Sequence, residues 1–203
     1  MSKLVATLLA ILVSAGVALA QPDAYQVHYF SNAGQDGTAV NITNNGANVG
    51  NVSDPTGTIC ANVYVFDSRN PAELVACCAC PIVAHGLAHL SGKGDLIGNT
   101  LTPELPTSIT VAIYATLDTG TCDASAPGLN HVSGLREWGT TLHALPTIPV
   151  TYAMTETEFS DGPLSASDLN NISATCGFIQ SDGSGFGICG SCKPGAIGAN
   201  KQM

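Results

Sequence analysis

Three cysteines occupy four consecutive positions of this chain, at Cys77, Cys78 and Cys80. The whole chain contains 8 cysteines. Because thiols pair in an oxidising compartment, such a set predicts a covalent framework that limits how far the segments of the fold can separate. The disulfide candidates are Cys60, Cys77, Cys78, Cys80, Cys122, Cys176, Cys189 and Cys192.

The pairing of these cysteines stays open at the level of sequence. Eight cysteines allow on the order of 100 connectivities, and spacing alone does not choose among them. Cys77 and Cys78 are not expected to pair with each other, because adjacent residues reach disulfide geometry only with strain. Each is expected to reach a different segment. A bridge that closes a loop of about 60 residues, such as one between Cys60 and Cys122, would stabilise the fold by roughly 4 kcal/mol.

The beginning of the chain is typical of an export signal. Lys3 provides a positive start, residues 4–13 are apolar apart from one threonine, and Ala18 and Ala20 are the small residues that a signal peptidase recognises. We therefore expect residues 1–20 to be a signal peptide, with no membrane anchor left after its removal. The mature protein is expected to be secreted, periplasmic or located at the cell surface.

Composition favours a β-rich fold for the mature chain. Only 10% of the residues are charged and 45% are hydrophobic, while Gly, Thr, Ser and Asn are abundant. That mixture suits half-buried strands joined by tight turns better than long surface helices. The length fits one secreted domain over residues 21–203, with a Gly- and Cys-rich tail over residues 181–203. The predicted fold class is mainly β: a disulfide-stapled β-sandwich, immunoglobulin-like or related, with one C-terminal helix.

Local patterns place the individual elements. The apolar period becomes helical after Ser165, and Asp168 three residues later completes a capping box. A short helical turn is expected to start at Asp67 or Ser68 and to lead into the cysteine cluster, where Pro81 would end it. Residues 21–37 show no sustained pattern. Strands are predicted over residues 38–43, 58–67, 86–90, 108–117, 132–142 and 150–154.

Net charge excludes one class of partner. Without Lys3, 5 basic residues stand against 15 acidic ones, a net charge of about −10. Phosphate backbones and anionic membranes would be repelled by such a surface, so nucleic-acid binding is not expected. A cell-surface polymer or a protein remains a possible partner.

Two cysteine-based sites are alternatives to a purely structural framework. Zinc is the first, because its usual ligands, Cys and His, lie close together at Cys77, Cys78, Cys80, His85 and His89. Thiol redox chemistry is the second, because Cys189 and Cys192 have the spacing of a redox motif. Against both, export favours disulfides over free thiolates, and Pro194 follows too soon for the helix that the redox motif needs. No cofactor is therefore expected.

Carboxylates and one aromatic residue provide a further alternative. Glu156 and Glu158 are predicted to project from one strand face beside Asp161, a pattern compatible with calcium or with a glycosidase. Trp138, the only tryptophan, could stack on a sugar ring, although a single tryptophan is more often a core residue. A carbohydrate-active or carbohydrate-binding module is therefore an alternative function.

Three segments with a distinctive cysteine pattern span most of the mature chain. The segments are Cys60-Ala-Asn-Val-Tyr-Val-Phe-Asp67, then Glu73-Leu74 leading into Cys77-Cys78-Ala-Cys80-Pro81, and Gly183-Ser-Gly-Phe-Gly-Ile-Cys-Gly-Ser-Cys192. In these segments the chain resembles a family of secreted bacterial cysteine-rich proteins, and the resemblance implies secretion and a common cysteine framework without catalytic roles.

The sequence as a whole predicts an exported, disulfide-stabilised β domain with a non-enzymatic structural, surface or binding role. No G-x-S-x-G nucleophile motif is present, and charged residues that could converge on a catalytic site are few. Metal binding, thiol redox chemistry and carbohydrate binding or processing are the alternative hypotheses.

Overall fold

Two antiparallel sheets face each other in a computed structural model that describes residues 23–69 and 73–192. One sheet has five strands and the other has four, and an α-helix packs on the outer face of the five-stranded sheet. The prediction of a mainly β, sandwich-type fold with one C-terminal helix is confirmed. The predicted signal peptide, residues 1–20, and the predicted tail beyond Cys192 lie outside the described residues.

Nine strands and one α-helix form the regular structure of the described residues. A π-helical turn, Gly92–Leu96, follows the fifth strand. The five-stranded sheet has the order β4-β3-β6-β1-β9, and the four-stranded sheet has the order β5-β2-β7-β8. The elements are β1 (Tyr25–Phe30), β2 (Ala39–Asn44), β3 (Ile59–Asp67), β4 (Glu73–Ile82), β5 (Leu87–Ser91), β6 (Ile109–Leu117), β7 (Leu135–Ala144), β8 (Tyr152–Glu158), β9 (Ser160–Asp161) and α1 (Ala166–Ser181).

Strand β3 is buried on both faces, as its sequence predicts. It pairs with β4 on one side and with β6 on the other. Val63 faces the core between the sheets, whereas Tyr64 faces the layer beneath the helix and donates its hydroxyl proton to the Ala124 carbonyl at 2.8 Å. A strand covered on both faces is apolar at successive positions, which is the pattern seen here.

The cysteine cluster lies on a strand, so the helical turn predicted to lead into it is wrong. Strand β4 begins at Glu73 and continues through the cluster and Pro81 to Ile82. Proline is tolerated here because β4 is an edge strand, where one side of the backbone needs no ladder partner. A register shift between Val65 and Phe66 of β3 adds one residue to β4 at this point.

Strand β1 is not predicted from the sequence and β8 extends beyond its predicted end, because polar residues occupy core-facing positions of β1 and β8 has no buried face. Strand β1 was not predicted; its inward positions include Gln26 and His28, so the usual contrast between an apolar and a polar face is absent. Strand β8 runs to Glu158, beyond the predicted end at residue 154, and all its residues are exposed. Apolar periodicity does not reveal strands that lack a contrast between an apolar and a polar face.

Helix α1 begins where the capping box predicts. The Ser165 hydroxyl accepts the Asp168 backbone N–H at 3.1 Å and donates to the Asp168 carboxylate at 2.6 Å. Leu169, Cys176 and Ile179 are buried against the outer face of the five-stranded sheet. The helix therefore forms a third layer, over one sheet only.

All eight cysteines form disulfides, and β4 supplies three of them. Alternation along the strand turns Cys77 towards the helix and turns Cys78 and Cys80 into the core between the sheets. Neighbouring cysteines therefore reach different layers, as expected. The pairs are Cys60–Cys122, Cys77–Cys176, Cys78–Cys189 and Cys80–Cys192.

The four bridges indicate an oxidising compartment. The three bridges from β4 close long stretches of chain, with sequence separations of 99, 111 and 112 residues. Long loops lose the most chain entropy on cross-linking in the unfolded state, so these bridges contribute strongly to stability. They also hold α1 and the segment 189–192 against the sandwich.

We predict that removing the bridge between β4 and α1 destabilises the protein substantially. The paired substitution Cys77→Ala and Cys176→Ala should lower the free energy of unfolding by about 2–5 kcal/mol, because the unfolded chain regains the entropy of a long loop. Urea unfolding followed by circular dichroism measures the change. Asn170→Ala, an exposed change on the same helix, should stay within about 0.5 kcal/mol of the wild type. Equal stability of the paired variant and the wild type would contradict the prediction.

Candidate functional site

The structure does not bring together the cysteines and histidines predicted as a zinc site. Cys77, Cys78 and Cys80 are all in disulfides, and a disulfide sulfur is not the thiolate that zinc binds. His89 lies on β5 of the opposite sheet. His85 follows β4 in a turn with a positive φ of 63°.

Among residues 23–69 and 73–192, one group offers three potential metal-ligand atoms within 4.8 Å of one another. It consists of Cys60, Asp118 and Cys122. Two of its three members are joined to each other in a disulfide, which removes both sulfurs as thiolate ligands. Disulfide formation is the physical reason why neither this group nor the predicted one presents a thiolate site in the oxidised protein.

The predicted redox pair is also divided between two bridges. Cys189 pairs with Cys78 and Cys192 pairs with Cys80, so the two thiols of the motif do not face each other as a dithiol. Both cysteines are buried in the core between the sheets. Exchange of electrons with a partner needs an accessible sulfur, which this arrangement does not provide.

Glu156 and Glu158 project from one face of β8, as predicted, because they are two residues apart on a strand. Asp161 lies in the other sheet, where its carboxylate accepts hydrogen bonds from the Asp23 backbone and the Gln26 side chain. The three carboxylates therefore do not form a common group with ligand atoms within 4.8 Å. The calcium and glycosidase interpretations therefore lack Asp161, the third carboxylate that they require.

Within residues 23–69 and 73–192, no helix packs on the outer face of the four-stranded sheet, because α1 covers the other sheet. We call this surface the open face. One row of side chains crosses all four strands of it, since the register places these residues directly opposite one another. The row, hereafter the Trp138 row, consists of His89 on β5, Asn41 on β2, Trp138 on β7 and Glu158 on β8.

Alternation along the strands establishes that the Trp138 row faces outward. Val40 and Ile42, on either side of Asn41, are in the core. Gly139, next to Trp138, points towards β1: a Cβ atom there would lie 2.5 Å from the Phe30 ring. Trp138 therefore points away from the sandwich and is partly exposed, rather than being the core tryptophan that its rarity suggested.

The Trp138 row combines a flat aromatic surface with polar groups at strand spacing. Adjacent strands lie about 4.8 Å apart, so the row spans roughly 14 Å. His89 Nδ1 lies 2.8 Å from Asn41 Oδ1, an amide oxygen that can accept a hydrogen bond, and the His89 ring is exposed. The Asn41 amide and the Trp138 indole add donors, and the Glu158 carboxylate adds acceptors.

The charge of the open face is acidic on its β8 side. Glu156 and Glu158 are exposed, and the Thr140 hydroxyl donates to Glu156 at 3.5 Å. Arg136, on the same face of β7 as Trp138, forms an ion pair with Asp23. The cation nearest along the strand is thus already neutralised, and the carboxylates of β8 are available to a ligand.

A buried glutamate lies directly behind Trp138. Glu137 is 1% exposed, and its Oε2 has no hydrogen-bond partner among the described residues. Burial raises the pKa of Glu137 to about 8, and the nearby carboxylates of Asp23 and Asp161 act in the same direction, while Arg136 opposes them. The side chain is closed off from solvent, so its role is in stability and not in contact with a ligand.

We predict that Glu137 makes the protein less stable as pH rises from about 4.5 to about 8. In this window the folded protein holds a proton that the unfolded chain has released, so the free energy of unfolding falls by about 1.4 kcal/mol per pH unit. Glu137→Gln cannot ionise and should remove this contribution. Thermal melting of both proteins across the window measures the difference.

The matched control for that prediction is Glu104→Gln, because Glu104 is exposed. This variant should keep the pH dependence of the wild type, because it leaves the buried Glu137 carboxyl in place. Identical pH profiles for Glu137→Gln and the wild type would contradict the prediction.

A concave region lies between α1 and the five-stranded sheet. It is a groove of about 350 Å³, lined by apolar side chains such as Phe66 and Leu74 and by the polar groups Tyr25, Asp168 and Asn171. The Asp168 carboxylate is already engaged by Ser165 in the helix cap. Burial and the nearby Asp168 charge raise the pKa of Tyr25, which keeps that phenol protonated. The groove therefore offers fewer free polar groups than the open face.

Sequence reasoning identified Trp138 and Glu158 separately and missed the row that joins them. Register between strands distant in sequence decides which residues share a row, and no local pattern reveals it.

No family model, curated protein or solved structure matches the chain. None of the helices in the described ranges has the length and hydrophobicity required to span a membrane.

Proposed function

We propose that this protein is exported and acts outside the cytoplasm as a non-enzymatic binding module for a sugar polymer of a cell surface. The open face is the binding surface, and Trp138 is the residue on which a sugar ring stacks. The observation that carries the proposal is the Trp138 row, which crosses all four strands without interruption.

The chemistry of the row fits a sugar polymer. An aromatic ring offers a flat apolar surface with a polar edge, which suits the apolar face of a pyranose, and the neighbouring amide, imidazole and carboxylate groups suit its hydroxyls. A flat row roughly 14 Å long suits an extended chain better than a small molecule, which prefers a concave site. The acidity of the chain argues against a polyanionic ligand.

The framework supports the proposed location. Four disulfides are stable in an oxidising environment, and the expected signal peptide would export the chain to such an environment. A rigid sheet is also a suitable scaffold for a binding row, because hydrogen-bonded strands fix the spacing of side chains across it.

We predict that Trp138 is required for binding to polysaccharide. The mature protein is mixed with chitin, with cellulose and with purified bacterial cell-wall sacculi, and the bound fraction is measured after sedimentation. At least one of these should bind the wild type, and Trp138→Ala should bind it at least 10-fold more weakly, a loss of about 1.4 kcal/mol or more. Soluble fragments of that polymer should also change the fluorescence of the protein, since Trp138 is its only tryptophan.

The matched control is Phe178→Ala, which removes another exposed aromatic side chain, 64% exposed, from α1 on the far side of the molecule. This variant should bind as the wild type does. Equal weakening by both substitutions, or no binding of the wild type to any of the three polymers, would contradict the proposal.

A further inference from the structure

Trp138 and Glu158 form a cross-strand pair on the open face. The register sets them directly opposite each other on β7 and β8, so their Cβ atoms lie about 5 Å apart. Glu158 is exposed. Among residues 23–69 and 73–192, its carboxylate forms no ion pair and accepts no hydrogen bond. The open face therefore presents an aromatic ring beside a carboxylate that no described group neutralises.

A second carboxylate extends the negative charge along β8. Glu156 lies two residues before Glu158 on the same face, about 7 Å away along the strand, and it is also exposed. Its contact with the Thr140 hydroxyl, at 3.5 Å, is long for a hydrogen bond and leaves its charge uncompensated. Strands β5 and β2 contain no acidic residue, so the negative charge of the open face is concentrated at β8.

The cations near this surface already have acidic partners. Arg136 is the only lysine or arginine in the four strands of the sheet, and it forms an ion pair with Asp23. Lys93, in the turn after β5, lies 3.1 Å from the Asp36 carboxylate. Within the described ranges, the two carboxylates of β8 are thus left to a ligand of positive charge.

A protonated amine is the chemical group that this arrangement recognises best. The face of an indole attracts an ammonium group through its quadrupole, and a neighbouring carboxylate attracts the same group by its charge. A neutral hydroxyl gains only a hydrogen bond from the carboxylate, and a phosphate or sulfate is repelled by it. Because Trp138 and Glu158 are cross-strand neighbours, one sugar ring stacked on the indole reaches both.

We propose that the ligand of the open face is an amino-sugar polymer with free, protonated amino groups, held at β8 by Glu158 and Glu156. A sugar ring stacks on Trp138 and places its ammonium group beside Glu158, while Glu156 binds the amine of a further sugar. The proposal rests on the proposed function, since it names the class of sugar polymer that the Trp138 row binds. The formal net charge of the chain, −9 at pH 7, also favours a cationic partner.

The test compares two ligands that differ only in the charge of the amine. Oligomers of N-acetylglucosamine and deacetylated oligomers of equal length share one backbone, and the acetyl group removes the charge. Each is titrated into the mature protein at about pH 6, where sugar amines and carboxylates are both charged. The fluorescence of Trp138, the only tryptophan, reports the dissociation constants.

The deacetylated oligomer should bind more tightly than the acetylated one, by about 10-fold or more, because it adds a cation–π contact and two ion pairs. Added salt should reduce this preference, since the ion pairs lie at the surface and are screened. Trp138→Ala should weaken the binding of both oligomers.

Glu158→Gln removes the charge of the side chain while keeping its size and its capacity for hydrogen bonds. The preference for the deacetylated oligomer should fall by about 3-fold, the loss of one surface ion pair, and the affinity for the acetylated oligomer should stay unchanged. The double variant with Glu156→Gln should lower the preference further. A purely structural role for Glu158 would instead weaken both oligomers equally, and that result would overturn the proposal.

The matched control is Glu104→Gln, which removes the same charge from a position near Arg69, just after β3 of the other sheet. It should leave the preference unchanged. An effect equal to that of Glu158→Gln would indicate general attraction between an acidic protein and a polycation, and would overturn the proposal. Tighter binding of oligolysine than of the deacetylated oligomer would overturn it as well, by identifying a basic peptide as the ligand.

Two outcomes separate the class of polymer from the binding site itself. Equal affinities for the two oligomers, both weakened by Trp138→Ala, would exclude an amino-sugar polymer and keep the Trp138 row as the site of an uncharged one. No binding of the wild type to either oligomer, to cellulose or to cell-wall sacculi would overturn both the amino-sugar ligand and the proposed function.

Discussion

Alternation of side chains along β4 is the constraint on which the rest of the architecture depends. Because successive residues of a strand point to opposite faces, Cys77 reaches the helix layer and Cys78 and Cys80 reach the core between the sheets. One strand thus anchors α1 on one side and the segment that carries Cys189 and Cys192 on the other. A cluster that resembles a metal or redox site in sequence is therefore a junction between three layers.

The asymmetry of these layers also determines where the molecule can bind. The five-stranded sheet is covered by the sandwich core on one face and by α1 on the other, and β3 is accordingly buried almost throughout. As far as the described residues show, the four-stranded sheet is packed on its core face alone. Its outer face presents the Trp138 row, so binding is proposed for this surface.

Much of the fold could be predicted from the sequence, and the parts that could not share a physical cause. Strands β3 and β6 and helix α1 follow from apolar periodicity and from the Ser165 capping box, because their burial is regular along the chain. Strand β1 was missed because Gln26 and His28 face inward, and β8 was cut short because it has no buried face. The strand character of β4 was hidden by Pro81, which only an edge position tolerates.

The sequence by itself determined the class of the molecule: a β-rich, acidic chain with eight cysteines, typical of an oxidising compartment, and with Trp138 and Glu158 as separate candidates for contact with a ligand. Only the tertiary structure decided which cysteines pair and which side chains share the row through Trp138. Both depend on the register and layering of strands far apart in sequence, and these arise from packing of the whole chain rather than from any local pattern.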